Sequence, residues 1–325
     1  MQRYDISIDI LKFLAALLIT NSHMEILYGE YSYLATGGAI GDSLFFFCSG
    51  YTLFLGENTS FFNWYKRRIN RIYPTIFAWM MVCCVVWKWQ VNILDVILHG
   101  GGWFVECIMI YYVILWLVRR YCINHLGWFF GVSALIIGAR YLIAPETAGF
   151  ESMSIYGSTT FKYWIFFLSM LAGAMLGLYR KRNTFTIGKP LVSLCFLILS
   201  VALFYLLYYF SFISTFRWLQ LLTIFPLIGV AFYLYKICNS SWVLNLYCKK
   251  IPGAIIKIIG GLCLEIYLVQ YNLYTDKFND LFPLNILIMF LIILLVAYLL
   301  RCLSRIWKQT FSETNYDWKD IIKLY

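Results

Sequence analysis

Charge is scarce in this sequence of 325 residues. Only 13% are Asp, Glu, Lys or Arg, about half of the roughly 25% carried by a soluble domain. With 62% apolar residues and a mean hydropathy of +0.74, that shortage excludes an ordinary soluble domain, and equally a disordered or collagen-like chain. The ten cysteines form no CxxC pair and lie mostly in apolar runs, so neither a disulfide framework nor a metal site is expected. No small-residue cleavage site follows the first apolar stretch, which therefore reads as a retained span. No internal repeat is visible. Aromatic residues, by contrast, are abundant: 12 Trp, 26 Tyr and 27 Phe suit the interfacial belts of a helical membrane protein. The net charge of +10 comes in bursts between apolar runs, which argues for loops between spans and against a nucleic-acid partner.

Predominantly apolar stretches of about 17–22 residues recur at 8–27, 38–56, 71–89, 103–118, 125–143, 161–179, 191–211, 216–235, 254–273 and 283–301. The expected fold is all-α, a polytopic transmembrane bundle of about ten spans. Segment 91–102 is amphipathic, and Pro252 and Lys257 blur the start of the ninth span. Of 26 Lys and Arg, Lys88, Arg140, Lys162, Arg217 and Lys277 fall at one side and Lys12 lies in the first span. The other twenty cluster after every second span, which places those loops and both termini in the cytoplasm. Residues 1–305 then form the membrane domain and 306–325 a short cytoplasmic tail. That tail sets Trp307, Phe311, Trp318, Ile322 and Tyr325 among charges, as an interfacial helix or a solvated segment. The longest outer loop, 144–160, is acidic, and no soluble domain is appended.

An ionisable group at membrane depth is costly and marks function by default. Asp9, Lys12, His23, Glu25, Asp42, Glu57, Glu106 and Glu265 qualify. Lys12 and His23 are eleven residues apart, three helical turns, so they share a face about 16 Å apart along the axis. Asp9 lies one turn before Lys12 and can offset its charge. His23 suits a general base, whereas His99 and His125 sit at loop edges without such company. A second constellation is KRRINRIYP (66–74), where Lys66, Arg67, Arg68 and Arg71 make a fork for phosphate oxygens, with Arg68 and Arg71 expected to face one way; positive-inside anchoring explains the same cluster. The third, GGAIGDSLFFFCSGYTLF (37–54), has small residues for close helix approach and carries Asp42 and Ser43.

In this order the three pieces resemble the membrane acyltransferase 3 family. The first helix of that family carries Asp, then Arg or Lys, then ten residues, then His, matched by Asp9, Lys12 and His23. Its RxxR is similar to Arg68-Ile69-Asn70-Arg71, and LFFFCSGYTLF, WFV (103–105) and GGLCLEIYLVQ (260–270) resemble further segments. The family's Asp in the second helix falls on Ser43, with Asp42 one residue earlier. Its late Ser and His are Cys263 and Gln270, so their duties are not carried over.

The resemblance implies an O-acyltransferase of the bacterial cytoplasmic membrane. Such an enzyme moves an acyl group, foremost acetyl, from cytosolic acyl-CoA to a hydroxyl of a carbohydrate, an exopolysaccharide or other surface glycan. It implies acetyl-CoA as donor substrate, no permanently bound cofactor and no metal, and polysaccharide synthesis machinery as a candidate partner. Arg68, Arg71, Arg67 and Lys66 would bind the donor. His23, with Lys12 and Asp9, would be catalytic, as general base or transient acyl carrier. Asp42, Ser43, Trp103 and Glu106 would shape the acceptor side. The competing reading, a transporter of a lipid-linked glycan or small metabolite, predicts internal repeats; a receptor leaves Lys12 and His23 unexplained.

Overall fold

The computed structural model describes residues 5–56, 59–143, 154–157, 160–183, 188–312 and 315–324. Glu57, most of the 144–160 loop and Tyr325 lie outside these. The chain runs through α1 (Ile6–Ser22), α2 (Glu25–Tyr28), α3 (Gly38–Leu55), α4 (Phe61–Val86), α5 (Ile93–His99), α6 (Gly102–Tyr121), α7 (Leu126–Ile143) and α8 (Lys162–Arg182). It continues through α9 (Pro190–Phe210), α10 (Leu219–Leu222), α11 (Ile224–Cys238), α12 (Ser241–Cys248), α13 (Lys250–Gly261), α14 (Cys263–Leu273), α15 (Leu284–Thr310) and α16 (Trp318–Ile321). There is no strand among the described residues.

Among the same residues, eight helices are long and apolar enough to cross a membrane, or up to ten if two bent pairs each count as one span. Those pairs are Ile6–Ser22 with Glu25–Leu34, bent by 66°, and Lys250–Gly261 with Cys263–Leu273, bent by 71°. They coincide with the first and ninth expected spans. The third span begins ten residues earlier than expected: α4 starts at Phe61 and takes the whole KRRINR cluster into the helix. The amphipathic 91–102 segment contains the short helix α5. α15 likewise runs on through Thr310, past the expected end of the membrane domain.

The chain forms two compact units. The first comprises Met1–Ala15, Ala39–Asn58 and Leu117–Gly253. Its α3 and α8 cross with backbones almost touching: a Cβ on Gly50 would lie 1.9 Å from the Met170 carbonyl oxygen, and one on Gly173 would lie 2.0 Å from that of Phe47. Small residues are what such a crossing requires in a lipid-facing bundle. Gly173→Val is therefore expected to force the helices apart, costing about 1–3 kcal/mol and lowering the melting temperature in detergent. Gly131→Ala, where a Cβ meets open space, should leave it unchanged; equal melting of both variants would refute the contact.

Buried Arg119, 5% exposed, caps the far end of α3 by donating to the carbonyls of Leu53 (2.6 Å) and Gly56. Asp5, just before α1, accepts from Tyr51 and, at 2.8 Å, from Tyr235, with the Arg180 guanidinium 3.9 Å away. The two phenols and the one cation satisfy a carboxylate that burial would otherwise penalise.

The second unit comprises Ala16–Gly38, Thr59–Trp116 and Ala254–Tyr325. In it α15 packs on α4 and α14, and α14 on α4. Both bends belong to this unit, and each is held by side chains that satisfy the interrupted backbone, as helix breaks in an apolar setting require. At the first, fully buried Asn285 donates to the Leu27 carbonyl (2.8 Å), Asn279 to that of Ile26 (2.9 Å) and Asn21 to that of Leu34 (2.9 Å). At the second, Arg301 donates to the Gly261 carbonyl at the end of α13 and to both carboxylate oxygens of Glu265 at the start of α14, at 3.2 and 3.0 Å.

Candidate functional site

A cavity of about 390 Å³ opens in the second unit, lined by Arg67, Asn70, Arg71, Pro74 and Thr75 of α4, Glu265 of α14, and Arg301, Ser304, Arg305 and Lys308 of α15. Five cations face one carboxylate, and Glu265 is already bound to Arg301. The surplus positive charge makes this a place for a multiply charged anion. Pro74 has no N–H to give the Asn70 carbonyl one turn back, and the Thr75 and Ser304 hydroxyls, 3.0 Å apart, tie α4 to α15 at the wall.

The pair facing the cavity is Arg67 and Arg71, an i, i+4 pair, whereas the sequence reading put Arg68 and Arg71 on one side. Arg68 turns instead to an aromatic cleft, its guanidinium carbon 4.8 Å from the Trp64 ring centroid and 5.6 Å from that of Tyr112. Its Nε is buried without a hydrogen-bond partner. Lys66 is exposed and is not among the lining residues.

Sequence reasoning missed the second wall. By sequence Arg301, Arg305 and Lys308 fall among the twenty topogenic charges, yet their i, i+4, i+7 spacing puts them on one helical face, a signal the sequence carries. Arg305 also donates to the carbonyls of Asp320 (2.7 Å) and Ile321 (3.2 Å) in the tail, fastening α16 to α15.

His23 sits directly after α1, at the first bend, its N–H still donating to the Thr20 carbonyl at 3.2 Å. The Tyr271 hydroxyl, near the end of α14, lies 2.8 Å from His23 Nε2 and 3.1 Å from Nδ1. Nothing in the motif reading singled out Tyr271. The neighbouring Gln270 is fully buried; it accepts from the Tyr274 hydroxyl at 3.3 Å, and its Nε2 has no partner. α14 thus carries Glu265 at the cavity and Tyr271 at the imidazole, six residues apart, which is about 9 Å along the axis.

The remaining predicted residues divide between the units. In the second, Glu106 lies 2.8 Å from His99 Nδ1, so His99 does have a charged companion. The turn between α5 and α6 brings them together, and Gly102 there has φ +62°, where a Cβ would lie 2.8 Å from the Tyr267 hydroxyl. Trp103 meets the Phe104 ring edge-on at 5.9 Å, and Phe104 in turn meets Tyr267 at 5.5 Å.

In the first unit, Ser43 shares a 2.8 Å hydrogen bond with Ser169, and Asp42 feels the positive field of Lys162. Lys12 is half-buried on α1. Asp9 accepts from the Tyr247 hydroxyl at 3.0 Å. Burial and that carboxylate push the Tyr247 phenol well above its ordinary value, so it remains a donor.

The apolar bundle of eight to ten candidate spans is that of a multi-pass membrane protein. A family model described as an acyltransferase domain matches residues 5–302. The chain belongs to the acyltransferase 3 family, and with its helical bundle it is a membrane acyltransferase. No curated protein and no solved structure matches it.

Proposed function

We propose that the protein is an O-acyltransferase of the bacterial cytoplasmic membrane, moving acetyl from cytosolic acetyl-CoA to a hydroxyl of an exported or cell-surface polysaccharide, with both termini cytoplasmic. One observation carries the reading: a single unit holds a strongly cationic cavity and a histidine at a helix break, linked by α14. The phosphates of the donor would bind Arg67 and Arg71, with Arg305 and Lys308 opposite. Its thioester arm would pass around α14 to His23.

The imidazole would take the proton of the acceptor hydroxyl as its oxygen attacks the thioester carbonyl. The carbonyl oxygen carries negative charge and the imidazole positive until the C–S bond breaks and the departing thiolate receives that proton, so no net charge remains at the end. On the sequence resemblance alone, Lys12 and Asp9 stay candidates for the catalysis and Asp42, Ser43, Trp103 and Glu106 for the acceptor side.

The test is turnover by membranes with and without the protein, given radiolabelled acetyl-CoA or succinyl-CoA. Release of free CoA with base-labile label in the glycan fraction is expected from acetyl-CoA. Consumption of neither donor would refute transfer from acetyl-CoA. Label from succinyl-CoA instead would keep the class and change the group.

A further inference from the structure

On the function proposed above His23 is the base, and what readies it lies on α14. We propose that Tyr271 is the positioning residue of His23. The phenol oxygen stands 2.8 Å from Nε2, and the two rings are tilted by 52° with centroids 4.6 Å apart. We assign the N–H to Nε2, the nearer nitrogen, with the phenol oxygen accepting from it; in that tautomer the lone pair is on Nδ1, 3.1 Å from the same oxygen, where an incoming hydroxyl takes the phenol's place. The lone pair is what removes a proton from an acceptor hydroxyl.

Once the proton has moved to Nδ1, the ring is cationic and the same N–H···O contact becomes charge-assisted, hence stronger than before. A hydrogen bond that strengthens as the imidazolium forms favours the transition state over the ground state. The proton then leaves Nδ1 for the thiolate, and the contact returns to its neutral form. Tyr271 itself neither gains nor loses a proton.

The surroundings support this assignment. His23 follows the last residue of α1, where the helix no longer fixes its direction, so something outside α1 must aim the ring. α14 does so with a short, two-torsion side chain on a rigid element. The Thr20 carbonyl, one turn before His23, accepts from Tyr274 of the same segment at 3.2 Å, a second tie between the end of α1 and α14. Tyr271 keeps 53% of its surface exposed, so a bulky hydroxylated acceptor is not walled off from the pair.

The experiment is a double-mutant cycle on full-length protein in native membranes, with Tyr271→Phe, His23→Ala and the double variant assayed with labelled acetyl-CoA. Tyr271→Phe keeps the ring and removes the oxygen. Its kcat is expected to fall about 10-fold to 100-fold, with the donor KM within twofold of wild type. In the His23→Ala background the same change should cost nothing more, because its effect runs through the imidazole. Wild-type kcat in Tyr271→Phe, or losses that multiply in the double variant, would overturn the proposal while leaving His23 as the base. Full activity in His23→Ala would remove the base reading, and this proposal with it.

Discussion

Membranes carrying His23→Ala are expected to transfer acetyl about 10²–10⁴-fold more slowly than wild type, the range that loss of a general base produces. The donor KM should barely move, since the cationic cavity is built from α4, α15 and the opposite end of α14. Stability should also hold. His23 lies beyond α1, and the Asn21, Asn279 and Asn285 bonds that sustain the bend contact backbone carbonyls at 26, 27, 34 and 36. Kinetics at matched expression, with melting of the purified variant alongside, separates the two effects. Wild-type turnover would remove His23 from the chemistry.

Reversing one charge in the cavity should strike the other kinetic constant. A cation about 5 Å from a phosphate charge at an effective dielectric near 20 gains about 3 kcal/mol before screening. Physiological salt and the neighbouring cations reduce that share. Arg71→Glu is accordingly expected to raise the acetyl-CoA KM by about 100-fold and Arg71→Gln by about tenfold, with kcat near wild type and a weaker dependence of KM on salt. Arg71 is exposed, so the fold should tolerate both. Arg305 is a poorer probe, because its bonds to the tail would be lost as well. An unchanged KM in Arg71→Glu would place the donor elsewhere.

The spans were legible because lipid imposes a minimum apolar length, and the runs announce it. The bends were not. Neither Pro nor Gly interrupts Asn21-Ser22-His23-Met24-Glu25, and what stabilises the break is Asn279 and Asn285, about 250 residues later. The basic cluster was visible, but which arginine faces the cavity depends on Trp64 and Tyr112 drawing Arg68 away. Arg119 resembled any topogenic charge because its role, closing the end of α3, is set by carbonyls at 53 and 56. Tyr271 carries no motif, and only the placement of α14 beside the first bend gives it meaning.

Glu265 and Tyr271 share one short helix bounded by a bend, and this gives α14 the character of a gauge. Their side chains leave it about 120° apart, so an acyl arm bound as proposed would follow an oblique path around the helix. Deleting one residue between the two would swing Tyr271 by about 100° and shorten the interval by about 1.5 Å, with every chemical group still present. On the proposed function, the count of residues in α14, and not merely their identity, would set which length of arm meets the imidazole.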